Sequence, residues 1–503
     1  MKAWRFVVLL AILAVFVLAL AACGSPDEDT PGVLPDPAPA AVDEDTEAPP
    51  DAAEEEVRGP TPLPDFPDLG GRVITITTID ASGFFGINPD GISVAPDMAT
   101  DPHYFINRMR YDNRVAMEEA FNVTIVPIVM GWGEVTHALL ASVLAGEPLS
   151  DIVYMPGTHG FTHTVRGNIM QLDTVARADS DLLNDQIHVA PRIVRDGHIY
   201  SFAQNLINTG QQGVLVNLDL IHQFGLPNPV ELWERGEWTF DAFREIARLG
   251  TQDTTGDGTI DLWGTSGQLN ATMRHLISAN DGWMIEPTTL TYAYDSPATM
   301  EALQLVYDFL FNGWWQPPAL DAPRPTTMHA PSQRTWEEGR AVMATAVPPA
   351  HVQRGFDAGF TGNVAFLPFP TGPNNTRGYT SNAILRNGFS IPIGVEDPEN
   401  IIFFLEQVLS WARDDDYLIM EGAIDHLRAI FDDEADVQRV LENARNGKYD
   451  MGIQIDGFYW FHADMMVEWW YGTMTVAEAV EAQRDNRQHF IENFFNPIPY
   501  DGD

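Results

Sequence analysis

The sequence predicts an α/β fold built around a parallel sheet, and three observations carry that prediction. The chain has 503 residues, enough for two lobes or two to three domains rather than one small core. Apolar residues make up 45% of it, so a full core can be buried and global disorder is excluded. Between residues 71 and 157, strand-like and helix-like stretches alternate as β-α-β-α-β. That order calls for parallel strands joined by right-handed crossovers.

The first strand is VITITTID, a β-branched alternating run ending near Asp80. A loop, SGFFGINPDG, precedes a helix expected over about 104–120. VTIVPIVM is the second strand, VTHALLASVLA (135–145) a helix stopped by Gly146, and SDIVYMPG (150–157) the third strand. Ligands of such sheets bind beyond the carboxyl ends of the strands. Those ends fall at 82–86, 131–134 and 154–161.

The N-terminal region has a different character. Lys2 and Arg5 precede an apolar run over 6–22 that ends Leu20-Ala21-Ala22-Cys23-Gly24. Small residues directly before a lone cysteine resemble the bacterial lipoprotein signal, which implies cleavage before Cys23 and acylation of its thiol. Residues 1–22 are therefore expected to be a signal peptide. Two or more acyl chains would give stable anchoring, at about 0.8 kcal/mol per buried CH₂. Residues 23–68 are rich in Pro, Ala, Asp and Glu and cannot bury enough apolar area to fold, so they read as an extended tether. The globular body is expected over 69–503.

Charge and motifs exclude several functions. With 28 Lys+Arg against 71 Asp+Glu the formal net charge is −43, and no basic run offers a footprint for nucleic acid. The single cysteine rules out structural disulfides and cysteine-ligated zinc. HExxH, GxSxG and GxxxxGK[ST] motifs are absent. His159 and His163 stand four apart, but their glycine-containing context reads as a loop rather than a metal-binding helix.

Seven phrases occur in an order that resembles the family 1 extracellular solute-binding proteins of ABC importers. They are YDNRVAMEEAFNVTIVP, ALLASVLAGEPLSDIVYM, GNIMQLD, GVLVNLDLIHQFGLPNPVELWERGEWTFDAFREIA, RTWEEGRAVMATAV, NVAFLPFPTGPN and TVAEAVEAQRDNRQHFIENFFN, running from about residue 70 to 497. The resemblance implies a two-lobe periplasmic-binding-protein-like fold (type II-like) with hinge-linked lobes and a central ligand cleft. Lobe 1 is then expected at about 69–205 plus part of 330–395, and lobe 2 at about 206–330 and 396–503. SFAQNLINTGQQGVLVNLD (201–219) and NVAFLPFPTG (363–372) are the expected crossings. It also implies a monomeric, non-enzymatic receptor, lipid-anchored on the extracellular side of the cell membrane (or in the periplasm of a Gram-negative cell). Its ligand would be a carbohydrate, an oligosaccharide being the expected class, delivered to ABC permease subunits; ATP hydrolysis would belong to a partner. A surface lipoprotein glycosidase and a ligand sensor for a membrane kinase remain alternatives.

Sugars present flat C–H faces ringed by hydroxyls, so aromatic and hydrogen-bonding side chains in loops are the candidates. These are Phe84, Phe85, Trp132, Trp283, Tyr379 and Trp460, with Asp281, Glu134 and His159. Asp80, Ser82 and Arg386 are weaker polar candidates. Trp233, Trp238 and Trp336 lie in the scaffold phrases and are expected to pack. Finally, DTTGDGTIDLWG (253–264) places Asp253, Thr255, Asp257, Thr259 and Asp261 at alternating positions around Gly258. That pattern suits a structural Ca²⁺, although Gly264 stands where a bidentate glutamate would complete the loop. No organic cofactor is expected.

Overall fold

The computed structural model describes residues 66–79, 87, 92–99, 104–131, 133–184, 189–204, 211–267, 269–316, 330–346, 348–357, 359–383, 386–413, 424–455, 458, 465, 468–469 and 471–496. The chain divides into two units, 1–59 and 60–503, and every described residue belongs to the second.

The alternation at the start of the body folds as its pattern dictates. β1 (Arg72–Thr78) pairs in parallel with both β2 (Val123–Val129) and β3 (Ile152–Met155). Helices Tyr104–Phe121 and Glu134–Ala145 make the crossovers, the second closed by Gly146. β4 (Val189–Arg195) and β5 (His198–Gln204) form a hairpin that joins this sheet through β13 (Gly388–Ser390), giving the order β2-β1-β3-β13-β5-β4. Ile74, Ile76, Phe121, Phe202 and Phe389 form its core, covered by helix Pro398–Leu409, whose residues 401–409 are all buried. Phe66 stacks against Phe121 at 4.9 Å, so the packed body starts slightly before residue 69.

β6 (Gly213–Asn217) opens a second sheet. It pairs antiparallel with β10 (Ala341–Ala346) and β11 (Val364–Leu367), and β7 (Trp263–Gly267) lies parallel to β10. A strand buried on both faces reads as an unbroken apolar run, as GVLVN does. Val214, Val216, Ala365 and Leu367 face a core with Trp238, Phe243, Leu276 and Phe309; Leu215 and Phe366 face the other side, with Trp336 and Val440. Helix Phe240–Gly250, capped by the Thr239 side chain, lies so close to β7 that a Cβ on Gly264 would sit 1.9 Å from the Ala247 carbonyl oxygen. Three small pairings complete the strands. β8 (Ile285–Glu286) pairs with β9 (Thr291–Tyr292), β12 (Ser381–Ala383) with β14 (Gly447–Tyr449), and β13 (Gly388–Ser390) with β3 and β5.

These are two α/β lobes. The chain passes between their sheets from β5 to β6 and from β11 to β13, then leaves helix Pro398–Leu409 of the first lobe for helix Glu434–Arg445 of the second. One lobe limit differs from the expected one: helix Pro398–Leu409, expected in the second lobe, packs on the first, while within 330–395 strands β10 and β11 lie in the second lobe and 388–390 in the first. Strand partners far apart in sequence decide this, and no local pattern shows them. A second difference is the segment holding His159 and His163, which is a helix, Gly157–Val165, rather than a loop. Eight of its nine residues are buried, so packing outweighs the poor helix propensity of Gly, Thr and His.

Candidate functional site

Strand directions locate the cleft. The carboxyl ends of β1, β2, β3 and β5 and the amino ends of β4 and β13 share one edge of the first sheet. The amino end of β6 and the carboxyl ends of β7, β10 and β11 share the corresponding edge of the second. Both edges adjoin the crossings, so the space between lobes is the position where such sheets take ligands.

A buried polar network holds the crossings. Gln211 Nε2 donates to Ser381 Oγ at 2.8 Å and to the Asn382 carbonyl at 2.6 Å. Ser381 Oγ donates to Asn443 Oδ1, and Asn443 Nδ2 to the Gln212 carbonyl. The Asn382 backbone N–H donates to His275 Nδ1, which therefore lacks its proton, and Asn382 Nδ2 donates to Ser278 Oγ at 2.9 Å. Burial, with Arg274 adjacent, keeps His275 neutral by lowering its pKa. Its ring stacks on Phe369 at 4.7 Å. The first crossing, the second crossing and two helices of the second lobe thus share one network. A second clasp joins two of the scaffold phrases. Trp238 Nε1 donates to the Pro368 carbonyl at 2.9 Å, Thr371 N–H to the Trp238 carbonyl, and Phe240 N–H to the Thr371 carbonyl.

Helix Gly157–Val165 continues from β3 and packs against Met451–Gln454 of the second lobe. Phe161 stacks on Phe494 at 6.2 Å. His159 is buried in this wall. His163 Nδ1 lies 2.8 Å from Asn168 Nδ2, and burial, then Arg166 and His159, pushes its pKa down to about 4. His163 is therefore neutral at neutral pH.

The other sequence candidates divide into three sets. Cys23, Asp80, Ser82, Phe84, Phe85, Trp132 and Trp460 lie outside the described residues. Glu134 is exposed at the end of β2, where its Oε2 accepts from Gly131 N–H at 2.7 Å and closes the helix start. Asp281, Trp283 and Tyr379 fall in the second lobe and are held by the protein itself. Asp281 Oδ2 accepts from the Thr376 backbone N–H and hydroxyl at 2.8 and 2.7 Å, fixing the loop after Gly372. The Trp283 ring carries Lys448 Nζ 3.6 Å from its centroid. Tyr379 packs on Trp233 at 6.1 Å and is half-buried. Trp233, Trp238 and Trp336 pack in the scaffold, as the phrases suggested.

Sequence reasoning missed Lys448 and Asp450. Lys448 is the only lysine of the body, and both side chains are buried. Burial holds Lys448 below and Asp450 above their ordinary values, and the opposite charge of each offsets part of this. Asp450 accepts from the Met284 and Gly452 backbone N–H groups, each at 2.8 Å, and so anchors the segment that runs from Trp283 into the strand Ile285–Glu286. A lone lysine in an arginine-rich chain was the available signal.

The loop at 253–261 closes on itself. Asp253 accepts from the backbone N–H groups of Gly256, Asp257 and Gly258, Asp261 from Thr254, and Asp257 from Thr259 N–H. Gly258 has φ +90, which only glycine adopts readily. These bonds lower the pKa of Asp253 and Asp261. Among the described residues no three His, Cys, Asp or Glu side chains converge as a metal would require. A cavity of about 700 Å³ lined by Asp219, Asp432, Asp433 and Arg439 opens at the end of the second sheet away from the crossings, so it is not the cleft.

No protein-family model and no curated protein sequence matches the chain. Solved structures do. A maltose/maltodextrin-binding domain, MalE, from Bdellovibrio bacteriovorus bound to maltotriose superposes with a TM-score of 0.53 at 13% identity, covering 84% of this chain and 100% of that one. The GacH receptor of Streptomyces glaucescens, solved unliganded and with acarbose, gives 0.55 at 14% identity, over 84% and 99%. An ABC substrate-binding protein from Listeria monocytogenes in complex with cycloalternan gives 0.55 at 13% identity, over 84% and 98%. The chain has the two-lobe, periplasmic-binding-protein-like α/β fold of these sugar-binding structures.

Proposed function

We propose that the protein is an extracellular solute-binding receptor that captures a carbohydrate, with an oligosaccharide the expected class, and hands it to an ABC permease. The observation that carries the reading is the architecture: two lobes joined by three crossings, with strand ends converging on one cleft, shared with structures solved with maltotriose, acarbose and cycloalternan. Such lobes close over a ligand by hinge rotation, and the ligand acts by favouring the closed state. Acylated Cys23 would anchor the receptor on the outer side of the membrane, and the acidic, Pro-rich stretch after it would space the body from the bilayer. Among the described residues no helix is long and apolar enough to cross a membrane. Cys23→Ser should release the chain from the membrane fraction or leave it uncleaved; a correctly processed variant that stays membrane-bound would refute the anchor.

The direct test of the receptor is calorimetry or thermal shift against a glycan panel. A ligand at a hundred times its Kd stabilises the bound state by about 2.7 kcal/mol. A shift with peptides or another solute class, and none with any saccharide, would overturn the sugar assignment. The cation expected at 253–261 belongs to the same proposal, as a structural Ca²⁺ remote from the solute; the glycine turn at Gly258 and the first-position carboxylate of Asp253 support it.

A further inference from the structure

The cleft edge of the first sheet holds a cation, Arg192, that meets no carboxylate among the described residues. Arg192 stands where the β4–β5 register shifts, between the pairs Pro191–Phe202 and Ile193–Ser201. Such an irregularity re-aims a side chain and is common beside binding sites. Its guanidinium Nη2 donates to the carbonyl of Gln204, the last residue of β5 before the first crossing. Arg192 Cβ and Cγ lie 3.1 and 3.2 Å from where a side chain on Gly388 would begin. Arg386, two residues before Gly388, therefore shares this corner, and Tyr154 of β3 stands level with it on Phe389 at 4.6 Å.

Some arginines of the fold meet carboxylates, Arg72 with Asp151 and Arg439 with Asp436, both at 2.6 Å, whereas Arg110, its Nε buried without an acceptor, lies against the Trp411 ring. Arg192 has none among the described residues. Its Nε is buried without an acceptor, and so is Nε2 of the neighbouring Gln204. Burial, then the charge of Arg386, pushes Arg192 down to about 10. Buried donors without acceptors are costly, so a corner that keeps them, in a chain of net charge −43, is built for something that arrives. The planar guanidinium fork matches a carboxylate.

We propose that the Arg192–Arg386 corner recognises a carboxylate on the solute, so that the receptor takes acidic, uronate-containing saccharides in preference to neutral ones. This rests on the carbohydrate reading above and names its substrate class.

The test compares one backbone in two charge states, trigalacturonate and its methyl ester, by calorimetry on the purified protein, with oligomannuronate and maltotriose beside them. The acid should bind at least about tenfold tighter than the ester, since a charge-assisted hydrogen bond is about twice as strong as a neutral one. That preference should shrink between 50 and 500 mM NaCl. Arg192→Gln should bring the acid-to-ester ratio close to one, and Arg192→Lys should restore part of it. The melting temperature of unliganded Arg192→Gln should equal or exceed that of wild type, because an unneutralised buried charge is removed; a structural arginine would give a fall. Equal affinity for acid and ester, or tight binding of maltotriose alone, overturns the acidic-solute proposal and leaves the sugar receptor standing. Binding of a non-saccharide solute with no response to any sugar overturns both. If Arg192→Gln does not fold, the wild-type ratio and its salt dependence still decide.

Discussion

Glu406 offers a perturbation whose sign is unusual for a buried residue. It lies on helix Pro398–Leu409 and is fully inaccessible. One carboxylate oxygen accepts from the Ser180 hydroxyl and from Leu182 N–H, while the other is buried with no donor. Burial, with Asp181 nearby, pushes its pKa up to about 7 from 4.5. Arg413 sits 3.7 Å from Asp181 rather than on Glu406, and Arg177 contributes only at a distance. The folded state therefore prefers the protonated acid. That stabilisation is fully present below 4.5 and is lost as pH rises through 7. A carboxyl raised from 4.5 to about 7 contributes about 3 kcal/mol at most, and about 2 kcal/mol is expected at pH 8. Glu406→Gln keeps an acceptor for Ser180 and Leu182 but cannot ionise. Urea unfolding of variant and wild type, followed by tryptophan fluorescence, should give equal stabilities near pH 4.5 and a variant about 2 kcal/mol more stable at pH 8. A difference that does not change between pH 4.5 and 8, or a variant less stable at pH 8, would refute the reasoning.

His163 works in the opposite direction over an overlapping range. Its folded pKa is about 4 against 6.5, so stability is lost as pH falls from 6.5 towards 4, and His163→Gln should flatten that limb by up to about 3 kcal/mol in the same urea assay. Trp238→Phe leaves the buried Pro368 carbonyl without its donor and a void beside Phe243; about 3 kcal/mol of lost stability is expected from denaturant midpoints, and a loss under 1 kcal/mol would show that the clasp does not hold the second crossing. EDTA should lower the melting temperature and Ca²⁺ should restore it better than Mg²⁺, with Asp257→Ala abolishing the response; identical melting in EDTA and excess Ca²⁺ would leave 253–261 an acidic turn closed by its own hydrogen bonds.

The parts of the fold legible in the sequence are those whose pattern is local. β1, helix Tyr104–Phe121, β2, helix Glu134–Ala145 and β3 follow from periodicity and from a glycine stop, and their parallel order follows from connectivity. Thr239 before Phe240, and Thr475 with Glu478, announce helix starts by capping chemistry, and both caps form. The lobe limits were not legible, because AVMATA and VAFL are strands in any reading. Only pairing with β6, more than a hundred residues earlier, assigns them to the second lobe. Helix Gly157–Val165 was misread for a related reason: its stability comes from the surfaces it packs against, and GTHGFTHTV carries no helical preference of its own.

The site was harder to read for a physical reason that also explains which candidates shifted. An aromatic in a loop announces that it can stack, but not on what. Trp283 is taken by Lys448, and Tyr379 rests on Trp233, so the strongest aromatic candidates among the described residues already have partners within the fold. Arginine carries the reverse lesson. PRIVR looks like a strand with two ordinary surface charges, and nothing local says that one of them meets a register shift and turns toward Gln204 and Gly388. What marks Arg192 is the absence of a carboxylate among the described residues, in a protein that has 71 to offer. Acids so abundant can neutralise almost any surface arginine by chance, and a partner supplied by chance contributes little to stability. An arginine at the cleft edge that meets none among the described residues, beside a second arginine and a register shift, is the more informative observation, and it agrees with an acid supplied by the solute.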